Sequence, residues 1–173
     1  SNWEDFHAEH MILSKLAQMV NVGYSTELVF DDKMIQSIEA PIITDNGSFF
    51  PVILKTDIEY NEEGTHMHHC VGNYINYGNE SIIISLRHES ETGNERVTCE
   101  FNTINRSNIQ SKSFCNSSPP NQFNESLSQL YDRVKKYSKS LKPLEKNKTK
   151  LLLNKDKVLN NLDIHAHGIP LII

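Results

Sequence analysis

Cysteine is scarce in this sequence, and long apolar runs are missing from it. Its three cysteines, Cys70, Cys99 and Cys115, are too few for a disulfide framework, which favours a cytoplasmic location. No run approaches the roughly 18 apolar residues of a membrane-spanning helix, so we expect no membrane partner. The first residues contain no basic stretch that leads into an apolar one, and we therefore expect no signal peptide.

Two sequence signatures of nucleotide and RNA binding are also absent. The chain has no glycine-rich phosphate loop, which argues against an NTPase, and no aromatic motif of the kind found in RRM-type RNA readers. No repeat with a solenoid period occurs. With 173 residues, of which 38% are hydrophobic, the chain can bury one core but not two large ones.

Charge is unevenly distributed along the chain. Residues 133–157 contain ten lysines and arginines against two acidic residues, whereas the remainder contains seven basic and twenty acidic residues. Such a segment favours contact with phosphates or with an acidic partner, although a solvated helix face has the same composition. We predict that Lys135, Lys136 and Lys139 bind nucleic acid.

Hydrophobic periodicity and turn residues predict an α+β fold. We expect N-terminal helices, a central antiparallel sheet of three to five strands, and a C-terminal helix packed on the sheet. Helices are predicted over residues 3–20, 33–39, 65–77 and 122–141. Strands are predicted in a hairpin over 41–53 that turns at Asn46-Gly47, and over 81–88, 96–103 and 109–114. Thr56 and Glu59 have the spacing of a capping box, and Gly64 is expected to interrupt the helix that they open.

The densest group of reactive side chains lies in residues 63–74. The segment holds a glutamate, three histidines, a cysteine and a tyrosine, which are Glu63, His66, His68, His69, Cys70 and Tyr74. Histidine titrates near neutral pH, and a cysteine beside a cationic histidine can be a thiolate. On a helix over 65–77, His66, His69 or Cys70, and Tyr74 would share one face. Chemistry is therefore expected first at this segment.

A wider pattern of residues extends from this segment along the chain. It comprises Glu63-Gly64, Met67-His68-His69-Cys70-Val71-Gly72, Tyr74, Ser85-Leu86-Arg87, Thr98, Glu100, Gln110, Lys112, Asn116 and Pro119. This pattern resembles the signature of the PcfJ-like proteins, which are known from conjugative plasmids, phages and other mobile elements. The resemblance covers about residues 40–140. It implies a small α/β domain linked to mobile DNA or to host–parasite conflict, and it implies no settled reaction.

The chain departs from that family pattern at one point. Members usually carry a glycine shortly after the glutamine that corresponds to Gln110, whereas residues 111–116 contain none. Because glycine allows the backbone to approach a ligand closely, that approach is expected to differ here.

Our leading hypothesis for function is a nucleic-acid-processing enzyme, a metal-independent nuclease that uses acid–base chemistry and no cofactor. RNA cleavage needs a base for the 2′-hydroxyl proton, an acid for the leaving oxygen, and donors for the developing charge. His69 and Glu100 would supply the base and the acid, while Tyr74, Arg87 and Gln110 would hold and stabilise phosphate. A helix followed by three antiparallel strands is also the layout of small RNases, which is an analogy of fold only.

Three other interpretations are compatible with the same residues. Cys70 could act as a nucleophile, activated by His66 one turn before it or by the distant His88. Zinc could be bound by His66, His69 and Cys70 together with Cys99 or His88, although no pair has the usual ligand spacing. The last is a non-catalytic module that binds nucleic acid or a nucleotide without turnover.

The chain is expected to divide into two segments. Residues 1–142 would form the PcfJ-like α+β domain, and residues 143–173 would form a basic tail or connector, with a helix or a mobile connector over 143–160. The expected partner is nucleic acid, either RNA or DNA. A protein partner or a larger parent chain is also compatible with the sequence.

Overall fold

A computed structural model describes residues 24–90 and 93–150 of the chain. The helix predicted over 3–20 lies outside the described residues, as does the tail beyond residue 150. Residues 26–147 form one compact unit, which contains every element discussed below in whole or in part. In the described part of the chain, no helix is long and apolar enough to cross a membrane.

The elements follow one another in a mixed order of helices and strands. They are β1 (Tyr24–Val29), α1 (Asp32–Glu39), β2 (Ile42–Thr44), β3 (Gly47–Ile53), α2 (Asp57–Met67), a 3₁₀ helix (Cys70–Tyr77), β4 (Ser81–Ser90), β5 (Gly93–Asn102), β6 (Asn108–Lys112), α3 (Asn124–Lys136) and β7 (Glu145–Lys150). Short 3₁₀ turns cover Phe114–Asn116 and Asn121–Phe123.

Five of the strands form one antiparallel sheet in the order β2-β3-β4-β5-β6. β1 and β7 form a separate two-stranded sheet. Together with α1 before the sheet and α3 after it, this arrangement confirms the predicted α+β class with a central antiparallel sheet and a C-terminal helix.

Local signals in the sequence account for several of these elements. The Asp31 carboxylate accepts a hydrogen bond from the Met34 amide at 3.0 Å and so caps the N-terminus of α1. The predicted hairpin forms between β2 and β3, where Thr44 pairs with Gly47. Gly47 has a φ of 113°, and a Cβ atom there would lie 3.0 Å from the His88 ring. Glycine is therefore required by both conformation and space.

The main core lies between the sheet and the helices α1 and α3. In β4 and β5 the residues alternate in direction, so that one face of the sheet is apolar and the other carries polar groups. Apolar residues that point toward α3 include Phe49, Phe101, Val97 and Cys99, and Phe123 packs edge-on against Phe49 at 5.1 Å between ring centroids. The Tyr131 hydroxyl on α3 lies 2.6 Å from Ser111 on β6, which confirms that α3 covers this face.

The opposite face of the sheet is covered by α2 and the 3₁₀ helix. Glu63 on α2 accepts a hydrogen bond from Thr98 on β5. The sequence neighbours of Thr98 point toward α3, so Thr98 itself points to the opposite face. Val71 and Ile75 of the 3₁₀ helix are buried and belong to the hydrophobic core. Thr98, Glu100 and Gln110 therefore lie on the face of the sheet that α2 and the 3₁₀ helix cover.

Two predictions about residues 56–77 were wrong. The capping box at Thr56 and Glu59 forms, but the helix that it opens continues through Gly64 and ends at Met67. The single helix predicted over 65–77 does not form, because His68 takes a left-handed conformation (φ 53°, ψ 49°) that ends α2. The chain then restarts as a 3₁₀ helix at Cys70.

The prediction for the start of the basic tail was also wrong. Residues 145–150 form strand β7, whereas a helix or a mobile connector was expected over 143–160. Lysine and asparagine are weak strand formers, so this strand depends on its pairing with β1. The rest of that segment lies outside the described residues.

Candidate functional site

The junction between α2 and the 3₁₀ helix brings two backbone segments into close contact at glycines. A Cβ atom added to Gly64 would lie 3.0 Å from the carbonyl oxygen of His69 and 3.2 Å from the amide of Gly72. A Cβ atom on Gly72 would lie 2.8 Å from the side-chain oxygen of Asn61. These glycines therefore allow the chain to fold back on α2, which brings His69 over the sheet.

His69 is attached to the sheet through a side-chain hydrogen bond. Its Nε2 atom lies 3.0 Å from Thr98 Oγ1, and its Nδ1 atom accepts a hydrogen bond from the Val71 amide at 3.4 Å. The second contact makes His69 the N-cap of the 3₁₀ helix. Both ring nitrogens are thus positioned by the protein.

A buried glutamate lies on the far side of Thr98. The Thr98 hydroxyl donates to Glu63 Oε1 at 2.8 Å, and Arg96 donates to Glu63 Oε2 at 3.0 Å. Glu63 has no solvent exposure, and the guanidinium of Arg87 lies 4.0 Å from its Oε2. A buried carboxylate needs such partners, because an unpaired charge in the interior is very unfavourable. Two arginines and a threonine thus supply them.

The environment of His69 lowers its pKa below the ordinary histidine value. Partial burial is the larger cause, since desolvation disfavours the charged imidazolium. The charge of Glu63 acts in the opposite direction and moderates this effect. His69 is therefore neutral at pH 7 and retains a basic nitrogen.

A cleft of about 320 Å³ opens beside His69, between the 3₁₀ helix and the polar face of the sheet. The 3₁₀ helix and the residue before it contribute one wall, and the strands β4, β5 and β6 contribute the floor. The lining residues are His69, Cys70, Val71, Tyr74, Ile83, Thr98, Glu100, Gln110, Lys112 and Asn116. This volume lies at the lower end of the roughly 300–1,000 Å³ range of small-molecule sites.

Glu100 and Gln110 form a hydrogen-bonded pair on the floor of the cleft. The Gln110 amide donates to Glu100 Oε2 at 2.7 Å, and the two residues are direct cross-strand partners. A β-bulge follows immediately, because Phe101 pairs with Asn108 and leaves Ile109 as an extra residue. Bulges change the direction of side chains beside binding sites, and this one sets the register in which Gln110 meets Glu100.

A positive charge and a strained backbone segment also belong to the cleft. Lys112 is its lysine lining residue, and Asn116 lines it as well. Cys115 and Asn116 both adopt positive φ angles, of 53° and 59°. Such angles cost a residue other than glycine about 1–2 kcal/mol, less for asparagine. The segment without the family's glycine thus still contains backbone of the kind that glycine favours.

Five of the six predicted catalytic residues line the cleft, namely His69, Cys70, Tyr74, Glu100 and Gln110. The sixth, Arg87, is not a lining residue; it approaches Glu63 and donates to Ser85 Oγ at 3.3 Å. Its pKa is lowered mainly by burial and also by the neighbouring charge of Arg96. Arg87 thus contributes to the charge balance beneath the site.

The predicted nucleic-acid-binding lysines belong to a different part of the surface. Lys135 and Lys136 are exposed at the end of α3, and Lys139 is exposed shortly after it. Helix α3 covers the face of the sheet opposite to the cleft, as the Tyr131–Ser111 contact shows. The structure therefore does not bring these lysines together with His69 and Glu100.

His88 and Cys99 also lie on the α3 side of the sheet. His88 stacks on Phe49 at 4.4 Å between ring centroids, and Cys99 is fully buried opposite Ser111. Burial raises the pKa of the Cys99 thiol to about 12, so this thiol is inert. Because both lie on the other face of the sheet, neither can join His69 and Cys70 as a zinc ligand, as was expected for either, and His88 cannot activate Cys70. Across residues 24–90 and 93–150, no group of three or more His, Cys, Asp or Glu side chains is placed to hold a metal ion.

Sequence reasoning missed the role of Arg96 and underestimated Glu63. The available signal was strand periodicity, since Arg96, Thr98 and Glu100 alternate and must share one face of β5. Which helix residue meets that face depends on the packing of α2, and the sequence alone does not show it.

The fold and the site together define a small α+β domain with a polar cleft between a helical segment and an antiparallel sheet. The family model of PcfJ-like proteins matches residues 5–131 of the chain. The chain therefore belongs to the PcfJ-like protein family. No curated protein and no solved structure gives a significant match to it.

Proposed function

We propose that this domain is a nucleic-acid-processing enzyme, a metal-independent nuclease that acts in the biology of mobile elements or in defence against them. The observation that carries the proposal is the convergence of His69, Tyr74, Glu100 and Gln110 on one cleft. These residues are separated by up to 41 positions in the chain. A histidine, a carboxylate and hydrogen-bond donors around one cavity are the groups that phosphodiester cleavage needs.

For an RNA substrate the groups divide the reaction between them. One of His69 and Glu100 removes the proton of the 2′-hydroxyl, and the 2′-oxygen attacks the phosphorus. The bond to the 5′-oxygen breaks, and the other group, which must be protonated when the step begins, transfers its proton to this oxygen. The lowered pKa of His69 suits it to the role of base at pH 7. The Lys112 ammonium and the Tyr74 hydroxyl can stabilise charge on the phosphate.

A cleavage assay with labelled substrates tests this proposal. Single- and double-stranded RNA and DNA are incubated with the protein, with and without EDTA. Since general acid–base catalysis contributes about 10²–10⁴-fold to rate, we expect losses in that range for His69→Ala and for Glu100→Gln. His66→Ala is the matched control, because His66 lies on α2 outside the cleft, and it should cleave as the wild type does. Cleavage that EDTA abolishes would contradict the metal-independent mechanism.

The second candidate is a module that binds nucleic acid or a nucleotide without turnover. One observation favours it: the groups that would react already have partners within the protein. Both ring nitrogens of His69 are hydrogen-bonded, and the side-chain amide of Gln110 donates a hydrogen bond to one oxygen of Glu100. Saturable binding of a substrate that is never cleaved would support the module. That binding should weaken in Gln110→Ala and be unchanged in His66→Ala.

A further inference from the structure

The hydrogen bonds around His69 have only one consistent direction. A backbone amide can only donate, so the contact from Val71 N at 3.4 Å makes Nδ1 of His69 an acceptor. A neutral imidazole carries one proton, which must then lie on Nε2. Nε2 therefore donates to Thr98 Oγ1, 3.0 Å away.

The same direction continues from Thr98 to α2. Once Thr98 Oγ1 accepts from His69, its own single proton is available for Glu63 Oε1 at 2.8 Å. An ionised Glu63 carboxylate can accept hydrogen bonds but cannot donate them, so the Thr98 hydroxyl must be the donor. The chain of hydrogen bonds thus runs from His69 through Thr98 to Glu63.

Glu63 cannot turn away from this arrangement. It has no solvent exposure, and its second oxygen accepts from Arg96 at 3.0 Å with Arg87 at 4.0 Å. A charge-assisted bond to an arginine is stronger and shorter than a bond between neutral groups. The position of the carboxylate, and hence the direction of the Thr98 hydroxyl, is therefore set by residues outside the cleft.

We propose that Glu63 is a positioning residue that acts through Thr98 to hold the His69 proton on Nε2, which leaves Nδ1 as the basic nitrogen that serves the cleft. The 3.4 Å contact from Val71 is longer than the usual 2.9–3.0 Å, so Nδ1 is only weakly engaged. Val71 and Cys70, which follow His69, line the cleft. The proposed catalytic role of Nδ1 rests on the proposed function, whereas the tautomer does not.

Long-range ¹H–¹⁵N NMR of the histidine rings in the free protein tests this proposal. At about pH 8, above the ordinary histidine pKa of about 6.5, the two ring nitrogens of a neutral histidine resonate far apart when one tautomer dominates. The His69 signals are assigned by their loss in His69→Gln. We expect the wild type to show a protonated Nε2 and an unprotonated Nδ1.

The Thr98→Val variant removes the hydroxyl with little change in shape and leaves the Glu63–Arg96 pair intact. We expect the two ring nitrogens of His69 to shift toward each other, because neither tautomer is then favoured by Glu63. Thr98→Ser retains a hydroxyl and should restore the wild-type pattern. Glu63→Gln should also reduce the preference of the His69 proton for Nε2, since an amide can donate to Thr98 as well as accept from it.

Two results would overturn the proposal. One is a wild-type His69 with its proton on Nδ1, which needs no variant to detect. The other is a Thr98→Val protein whose His69 signals match those of the wild type. Cleavage assays separate this proposal from the function: loss of cleavage in His69→Ala without a tautomer preference defeats only the positioning role. A preserved tautomer with no cleavage of any substrate defeats only the nuclease.

Discussion

At the scale of single residues, the site is organised around one buried negative charge and two unequal positive ones. Arg96 lies 3.0 Å from Glu63 with 16% of its side chain exposed, whereas Arg87 lies at 4.0 Å with 33% exposed. Removing one partner of a buried ion pair costs about 3–5 kcal/mol, because the other charge stays behind. The longer contact of the more exposed Arg87 is expected to contribute less, closer to the roughly 1 kcal/mol of a solvent-screened pair.

We therefore expect Arg96→Met to lower the free energy of unfolding by about 3–5 kcal/mol. Arg87→Met, the matched change on the neighbouring strand, should lower it by roughly 1 kcal/mol. Urea denaturation of both variants measures the difference. Equal losses would show that the two arginines share the Glu63 charge evenly.

A second residue-scale prediction concerns the pH dependence of stability. Because the pKa of His69 is lowered in the folded protein, the unfolded chain binds the proton more readily. Above about pH 6.5 both states are neutral at this position and stability does not depend on it. As the pH falls below 6.5, the unfolded state gains a proton first, so stability declines until the pH passes the folded pKa.

Denaturation curves recorded between pH 5 and pH 8 should show that decline in the wild type. His69→Gln should have a flatter profile across this window, because the group that titrates there is gone. His66→Gln, at an exposed position on α2, reports the effect of losing a histidine elsewhere. A decline that persists unchanged in His69→Gln would mean that another group causes it.

At the scale of elements, the close packing of α2 against the 3₁₀ helix favours glycine at position 64. Alanine is favoured over glycine in a helix by about 1 kcal/mol. Against this, a Cβ at Gly64 would lie 3.0 Å from the His69 carbonyl oxygen, and overpacking typically costs 1–3 kcal/mol. We expect Gly64→Ala to be destabilising and to weaken binding of the proposed nucleic-acid substrate, because His69 must move.

Thr65→Ala is the matched control for that prediction. Thr65 is the next residue of α2 and is exposed. The change should therefore raise the free energy of unfolding by a few tenths of a kcal/mol, because alanine has the higher helix propensity. Thermal denaturation of both variants measures the difference in stability, and titration with labelled single-stranded RNA measures the difference in binding. A Gly64→Ala protein more stable than the wild type would show that the 3₁₀ helix can shift without cost.

Elements also differ in how far the sequence predicts them. The strands β4 and β5 were predictable, because period-two alternation places Val97 and Cys99 on one face and Thr98 and Glu100 on the other. The end of α2 was not, since a left-handed histidine has no sequence signal of its own. His68 adopts the left-handed conformation next to Phe114, which is 46 residues further along the chain. The centroids of the two rings are 4.8 Å apart. The cleft residues were found from chemistry and family pattern, but Glu63 and Arg96 required the packing of α2 on β5.

At the scale of the whole molecule, the cleft and the basic end of α3 lie on opposite faces of the sheet. A short ligand in the cleft cannot touch Lys135, Lys136 and Lys139, whereas a long strand can pass around the sheet. Under the proposed nucleic-acid function, the charge of these lysines would therefore contribute only to the binding of long strands, whose phosphates release counterions on binding.

We expect the triple change of Lys135, Lys136 and Lys139 to glutamate to weaken binding of a long single strand and to flatten its salt dependence. Binding of a dinucleotide should be unaffected, which provides an internal control in the same variant. Fluorescence anisotropy across a salt series measures both. Equal loss for both ligands would contradict the separation of the two surfaces, and no loss for either would mean that the lysines are only solvated.

The bulge at Ile109 has a consequence for how β6 tolerates the loss of one residue. Because Glu100 pairs with Gln110 and Phe101 pairs with Asn108, Ile109 has no partner of its own on β5. A chain without this residue could keep both pairings in an unbroken ladder, and Ile109 is 51% exposed, so little core would be lost. Deletions of one residue are normally lethal to a strand, because they turn every later side chain over. At Ile109, by contrast, one residue can be removed while Gln110 and Lys112 keep their partners Glu100 and Thr98 at the cleft.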